Sequence, residues 1–301
     1  MSIDWSKLYT LNESNNGKAG KAFEKLALDY LGEVFQDFDW IPTKASWDNN
    51  LDMFHTYQDG YESWAEAKYR KDSDNVGKKD LDPTILSGLI KEKLKLILFI
   101  TNGTIATHNL NRITYGARIK NISVSCINRS QLESWLYENP NKYKDFFGSV
   151  LSENCQSLEY VNIKDISFYS VDSINFGANK LHNELDLNQE YILSVTLSAS
   201  TEGVMYIKND NYPFDFVPSS QWPSPTQISY TLGTTSHFFL IRTVMVYDKP
   251  LTLKFVLENG RNINYIINCK ITDKQEIAIV HSNQNKIFFE INKCIKNMAS
   301  R

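Results

Sequence analysis

Cysteine is scarce, with four in 301 residues, and Cys126, Cys155, Cys269 and Cys294 stand far apart with no Cys-x-x-Cys pair. That spacing excludes a zinc ribbon and a disulfide framework, so four reduced, mostly structural thiols are expected. Histidine is also rare: His55, His108, His182, His237 and His281 form no His-x-x-x-His or other ligand cluster, and each is expected as a surface or core residue. No long apolar run exists. The longest, Leu94 to Ile100, is interrupted by Lys95 and falls far short of the roughly 20 residues a membrane helix needs. The N-terminal stretch lacks the basic start, apolar middle and small-residue cleavage site of a secretory signal, so a cytoplasmic chain with no membrane partner is expected. Nucleotide-binding Gly-x-x-x-x-Gly-Lys-Ser/Thr and Gly-x-Ser-x-Gly nucleophile motifs are missing too, which removes support for P-loop ATPase and serine hydrolase chemistry. An excess of either charge is lacking as well. With 32 Lys and Arg against 35 Asp and Glu, bulk positive charge does not hold this chain to nucleic acid. One local basic stretch remains, through Lys68, Arg70, Lys71, Lys78, Lys79, Lys91, Lys93 and Lys95.

What is present is a globular composition, 42% hydrophobic and 22% charged, which excludes a disordered or fibrous chain. The length fits two domains at about 100 to 200 residues each. The character of the sequence changes near residue 150, so one domain is expected over 1–150 and another over 151–301. In the first, Phe23, Leu26, Ala27, Tyr30, Leu31 and Val34 follow the spacing of an amphipathic helix. Strands are expected over 40–43, 51–57 and 61–69. A helix is expected from Asp82 as N-cap with Pro83 at the first helical position. Leu96 to Thr101 reads as a buried central strand. A Thr101-Asn102-Gly103 turn then leads to a helix, a strand spans 122–127, and Ser130 with Glu133 forms a capping box before a last helix. That order of elements gives an α/β sheet flanked by helices. The second half carries strand signals over 190–200, 203–208, 226–232, 237–247, 251–257, 262–270 and 287–291, with turns between them, which argues an antiparallel β-sandwich closed by a short helix over 292–298. Its aromatic and proline-rich stretch from Tyr206 to Tyr230, with Pro213, Pro218, Trp222, Pro223 and Pro225, reads as a binding loop or a cover for one end of the sandwich.

Chemistry concentrates in LDMFHTYQDGYESWAEAKYRK. Residues two apart on a strand share a face, so Glu66 and Lys68 point one way, while Ala65 and Ala67 point the other and leave room for a helix. Loop length decides what lies opposite Glu66. A two-residue turn at 59 and 60 places Asp52 on the wrong face, whereas a three-residue loop over 58–60 with Gly60 in the left-handed region sets Asp52 opposite Glu66. Directly opposed Cβ atoms lie about 4.5 to 5.5 Å apart, and two carboxylates so close repel unless a cation lies between them. Oxygen ligands favour Mg²⁺, with Mn²⁺ as a substitute. Lys68 beside such a metal can orient a water or stabilise charge on a phosphate, and Glu24, at the rim of the first helix's buried stripe, adds a further acid. Trp64 shares the parity of Glu66, as a core residue, a lid or a stacking platform.

Gly20-Lys21-Ala22-Phe23-Glu24, Asp52, Glu66-Ala67-Lys68 and the strand ending in Thr101-Asn102-Gly103 together resemble the Mrr-like branch of the PD-(D/E)XK nucleases over about residues 15–140. The resemblance implies a restriction-endonuclease-like α/β domain, followed here by the all-β sandwich-like domain. It implies a DNA endonuclease of restriction or antiviral defence, with Asp52 and Glu66 on the metal, Lys68 serving the attacking water and Glu24 assisting. Arg70, Lys71, Lys78 and Lys79 would contact DNA, and a homo-oligomer would bring two sites to the two strands. Two positions depart from the family pattern: no Gln lies between Asp80 and Lys93, and Asn50 stands where a Gly is usual. Two other readings stay open, a non-catalytic nucleic-acid-binding module on this fold and an effector or adaptor of a larger defence assembly driven by a STAND-type ATPase. The second half, with 13 basic against 15 acidic residues, would then be a recognition, regulatory or oligomerisation module.

Overall fold

A computed structural model describes residues 3–43, 51–72, 75–149, 159–171, 180–181, 184–208, 210–217 and 226–273. The first half runs α1 (Ser6–Leu11), α2 (Asn16–Val34), β1 (Ile41–Pro42), β2 (Met53–Thr56), β3 (Glu62–Lys68), β4 (Asn75–Val76), α3 (Lys78–Ile90), β5 (Leu94–Thr101), β6 (Thr104–Ile105), α4 (Thr107–Ile119), β7 (Ser123–Ile127), α5 (Arg129–Glu138) and α6 (Pro140–Phe147). Five strands form a mixed sheet in the order β1-β2-β3-β5-β7. The β1–β2 and β2–β3 pairs are antiparallel, while β3–β5 and β5–β7 are parallel. The expected α/β sheet with helices on its faces is therefore present.

Helix α2 forms where the periodicity places it, because Asn15 caps its start by accepting from the Lys18 N–H at 3.1 Å and its stripe of Phe23, Leu26, Ala27, Tyr30 and Leu31 is buried. That stripe packs on the sheet face of Met53, Ala65, Leu96, Leu98 and Ile100. The opposite face, with Trp64, Ile97 and Phe99, is covered by Leu81 and Ile85 of α3 and Ile113 and Ala117 of α4. Burying each large apolar side chain contributes about 1.5 to 3 kcal/mol. A glycine sets how closely α3 approaches: a Cβ on Gly88 would stand 2.6 Å from the Ile97 side chain.

Two helix starts differ from expectation. Helix α3 begins at Lys78, a full turn before Asp82, because the Asp80 carboxylate accepts from the Gly77 N–H at 2.8 Å and Leu81 is already buried; Pro83 lies inside the helix. Helix α5 is capped by Asn128, whose Oδ1 accepts from the Gln131 N–H, so Ser130 is not the cap. Glu133 turns inward instead and accepts from Ile3 N, Trp5 Nε1 and Arg129 Nε at 3.2, 3.0 and 2.7 Å.

The second half contributes β8 (Val161–Ser170), β9 (Lys180–Leu181), β10 (Glu184–Asp186), β11 (Glu190–Ala199), β12 (Gly203–Ile207), β13 (Phe214–Phe216), β14 (Gln227–Tyr230), β15 (Gly233–Thr243), β16 (Tyr247–Leu257) and β17 (Asn262–Thr272). They make two five-stranded sheets, β13-β15-β11-β8-β9 and β10-β17-β16-β12-β14, whose buried faces share one apolar cluster. All described pairings are antiparallel except β10 with β17, which corrects the expectation of a wholly antiparallel arrangement. Strand β8 was not expected from the sequence. The strand at 287–291, the helix at 292–298 and the change of character at 150 lie outside the described residues, as do Cys155, Cys294, His182, His281, Pro218, Trp222, Pro223 and Pro225.

Among the described residues no sheet mixes strands of the two halves, yet their apolar interiors are continuous. Leu132, Trp135 and Leu136 of α5 belong to the same cluster as Phe168 and Ile267 of the β sheets. Polar contacts stitch this junction: Gln131 Nε2 donates to Asn264 O at 2.8 Å and Asn264 Nδ2 to Cys126 O at 2.7 Å. Burial pushes the thiols of Cys126 and Cys269 up to about 12, in keeping with inert structural cysteines. Among the described residues, no helix is long and apolar enough to cross a membrane.

Candidate active site

The hairpin of β2 and β3 takes the three-residue form. Tyr57 N donates to Tyr61 O and Gly60 N to Tyr57 O, both at 2.9 Å, and Gly60 has φ +77°. A side chain at that position would carry left-handed strain, which glycine avoids. The register follows: Met53 pairs with Ala65 and Phe54 with Trp64. Asp52 extends this ladder. Its backbone N–H donates to Ala65 O at 3.1 Å and its Oδ2 accepts from Ala67 N at 2.7 Å, so Asp52 brackets Glu66 from both sides along the strand.

Glu66 is buried, at 4% exposure, and its Oε1 pairs with the Lys68 ammonium two residues on. The other oxygen, Oε2, is buried with no hydrogen-bond partner. Burial is the main force raising the Glu66 carboxyl to about 8, with the charge of Asp52 next and Lys68 acting the other way. Asp52 is also raised, by burial, against the Ala67 hydrogen bond and Lys68. Glu24, on α2, is raised by burial and then by Asp52. The structure therefore brings Asp52, Glu66, Lys68 and Glu24 together. The charge of Asp52 makes both Glu24 and Glu66 harder to ionise, and Glu24 adds to the effect on Glu66.

The donor set fits a hard divalent cation. A buried carboxylate with an orphaned oxygen, Glu66, and a half-buried one, Asp52, are stabilised by such a charge and destabilised without it. Among the described residues, no group of three or more His, Cys, Asp or Glu side chains is gathered tightly enough to hold a metal. Asp52 and Glu66 are the two carboxylates that could hold such an ion, and Glu24 lies close enough to feel the charge of Asp52.

Four residues that spacing did not single out also belong here. Lys21, one turn before Glu24 on α2, lowers both Glu24 and Asp52 by its charge. Thr101 and Asn102, both buried, replace backbone pairing where the β3–β5 ladder ends. The Thr101 hydroxyl donates to Lys68 O at 2.7 Å, while Asn102 accepts from Arg70 N at 2.7 Å and donates to Arg70 O at 2.6 Å. Asp80, on α3, forms an ion pair with Arg70 at 2.5 Å. Only the Thr-Asn-Gly string was visible in the sequence, and it carried no sign of what its side chains would grip.

The basic residues spread differently. Arg70 pairs with Asp80, whereas Lys71 sits over the Tyr9 ring at 4.4 Å, Lys78 pairs weakly with Asp82 at 3.8 Å, and Lys79 is exposed. Lys91 pairs with Glu62, and Lys95 with Asp59 and Asp248. Trp64 is a core residue at 2% exposure whose Nε1 donates to Glu62, so it offers no face to a base. His55 accepts from Asp39 N on the opposite sheet face, as its parity implies, and burial lowers its ring nitrogen.

No protein-family model matches the chain, and no curated protein matches it. Among solved structures, one similar chain is the PmoD soluble domain from Methylocystis sp. ATCC 49242 (Rockwell), at 10% identity over 37% of this chain and 90% of that one, with a TM-score of 0.21. A likeness of that size carries no argument about fold or chemistry, and the reading of this site rests on its own residues.

Proposed function

We propose that the chain is a metal-dependent DNA endonuclease of the PD-(D/E)XK type, acting through Asp52, Glu66, Lys68 and Glu24. The observation that carries the reading is the buried, partnerless oxygen of Glu66 beside Asp52, with Lys68 within reach. The order of elements supports it: a helix bearing Glu24, an antiparallel hairpin bearing Asp52 and Glu66, then parallel strands.

Asp52 and Glu66 would hold Mg²⁺ or Mn²⁺. When bound, the ion supplies charge to the phosphoryl oxygens and acidifies a water. Lys68, now paired with Glu66, turns its ammonium to the attacking water or to the phosphate once the carboxylate is engaged. In the balanced reaction a water oxygen bonds to phosphorus, the bond from phosphorus to the 3′ oxygen breaks, a proton leaves the water and one reaches the 3′ oxygen, giving a 5′-phosphate. Glu24, held protonated more readily than a free carboxyl, is placed to exchange protons at the rim. The β sheets act as the module that recognises, regulates or assembles, and self-association would present two sites to the two strands.

The test is cleavage of plasmid and linear DNA with Mg²⁺, Mn²⁺ or a chelator, comparing the parent with Glu66→Ala and Lys68→Ala. Metal-dependent cutting lost in both variants is expected. Cutting by Glu66→Ala at the parent rate in saturating Mg²⁺ refutes the assignment. The limited number of gathered carboxylates favours one second reading, a nucleic-acid-binding module without catalysis. DNA binding by the parent with no cutting under either metal establishes that alternative.

A further inference from the structure

Arg70 lies two residues beyond Lys68 in the chain, its side chain is a quarter exposed, and it pairs with Asp80, whose carboxyl also feels the charge of Lys68. Strand β3 ends at Lys68, so nothing in the ladder itself fixes the residues that follow. The side chain of Asn102 does this instead. It is fully buried and spans both polar groups of the Arg70 backbone, accepting from the N–H and donating to the carbonyl. The neighbouring Thr101 hydroxyl holds the Lys68 carbonyl and accepts from Gly103 N at 2.9 Å, which fixes the turn from which both grips are made. Two buried side chains thus prolong the sheet by two residues, at the place where Lys68 gives way to Arg70.

The guanidinium so placed is bound at one side only by an anion. Its Nη2 meets Asp80 Oδ2 at 2.5 Å, while Nη1 donates to the Tyr69 carbonyl at 3.0 Å. Arg70 and the Gly77 N–H hold the Asp80 carboxyl below the usual carboxylate range, so it stays ionised. Asp80 is one-third exposed, and a DNA phosphate, with one negative charge and two unesterified oxygens, offers the guanidinium a two-oxygen acceptor that can replace the carboxylate.

We propose that Arg70 grips a backbone phosphate of the DNA, that Asn102 is the positioning residue aiming it, and that Asp80 is the competing anion it leaves when substrate binds. The proposal rests on the nuclease reading for its substrate, but its test needs no catalysis. Lys71, Lys78 and Lys79 fall outside this device, since among the described residues no side chain spans their backbone N–H and carbonyl as Asn102 spans those of Arg70.

The experiment is binding of a fluorescein-labelled duplex to the full chain in chelator, by anisotropy over a range of salt, for the parent, Arg70→Gln, Asp80→Asn, Asn102→Ala and the Arg70→Gln/Asp80→Asn pair. Loss of one phosphate contact lowers the slope of log affinity against log salt by about 0.9. Arg70→Gln is expected to show that loss, and Asn102→Ala the same loss although Arg70 is still present. Asp80→Asn keeps an acceptor for the Gly77 N–H and removes the competing charge, so it should bind about five-fold tighter. In the double variant that gain should vanish. Asn102 is buried and its truncation affects folding, so the Asp80→Asn gain and its dependence on Arg70 decide the matter independently. A parent slope unchanged in Arg70→Gln, or an Asp80→Asn gain that persists without Arg70, overturns the proposal. Cleavage by the parent together with such a result leaves the nuclease reading standing and this role of Arg70 refuted.

Discussion

Replacing Glu66 with Gln keeps the shape of the side chain and removes its ionisation, which isolates the electrostatic cost of the site. Burial and Asp52 raise the Glu66 carboxyl from its ordinary 4.5 to about 8. Between those values the folded, metal-free chain holds a proton that the unfolded chain releases. Stability in chelator therefore falls as pH rises through that window, with a slope of up to about 1.4 kcal/mol per pH unit from this group. Over pH 5 to 8 the ceiling is roughly 4 kcal/mol. Coupling to Asp52 and the Lys68 ammonium shares the proton among several groups, so about half of that is expected. Glu66→Gln loses this slope: it should be close to the parent in stability at pH 5 and about 2 kcal/mol more stable at pH 8. Excess Mg²⁺ should reverse the order at pH 8, because the ion stabilises the folded parent by mass action and displaces the proton, while the amide offers it a poorer ligand. Urea unfolding at four pH values, in chelator and in Mg²⁺, reads both effects. A stability difference independent of pH in chelator, or equal Mg²⁺ stabilisation of both proteins, refutes the reasoning about this pair of carboxylates.

Lys68→Ala should retain Mg²⁺-dependent stabilisation in the same urea titration while losing about 10²- to 10⁴-fold in DNA cleavage, because the metal is held by Asp52 and Glu66 and not by the ammonium. Glu133→Ala leaves Ile3 N, Trp5 Nε1 and Arg129 without their shared acceptor and should cost about 3 kcal/mol in urea unfolding; the conservative Gln should recover part of this. Gly88→Ala drives a methyl against Ile97 and Leu94 and should cost about 1 to 3 kcal/mol, with a smaller penalty in the Ile97→Val background.

The parts of the fold that were legible are those where one short-range rule decides. Helical spacing marked the buried face of α2, and the turn chemistry of Gly60 set the hairpin register that carries Asp52 to Glu66. Strand β8 escaped because its alternation changes phase. Val161 and Ile163 share one parity, Ile166 and Phe168 the other, and all four are buried because a bulge between the Ile163 and Asp165 pairings shifts the strand by one residue. The same kind of irregularity occurs in β5 at Lys95, between the Leu94 and Leu96 pairings. The starts of α3 and α5 were misread because more than one residue nearby was a competent cap, and tertiary burial of Leu81 and the inward turn of Glu133 chose among them. Asn102 was illegible as a site residue for a different reason. Its partners lie 32 positions away in the chain, and no periodicity connects them.

Composition separates the two halves, but packing joins them. Lys95, at the β5 bulge, is largely buried and sits over the rings of Tyr57 and Tyr61, at 5.2 and 4.8 Å from their centres, in the hairpin that carries Asp52 and Glu66. Its ammonium reaches Asp59 in the hairpin turn at 2.9 Å and Asp248 of β16 at 3.5 Å. Around it, Ser123 donates to Pro250 O, Lys249 to Asn121 and Tyr265 to Val34 O, so both strand ends and the first long helix are tied to the β sheets. Removing residues after 150 would uncover the apolar side of α5 and the end of α2 at Val34 and Phe35, and leave Gln131 and Cys126 without their Asn264 partners. The loss would come mainly from folding and would resemble a loss of chemistry. Influence of the β sheets on the site is therefore properly sought through point changes at the junction, such as Asp248→Asn, in which the shared core stays intact and only the charge on the hairpin turn is altered.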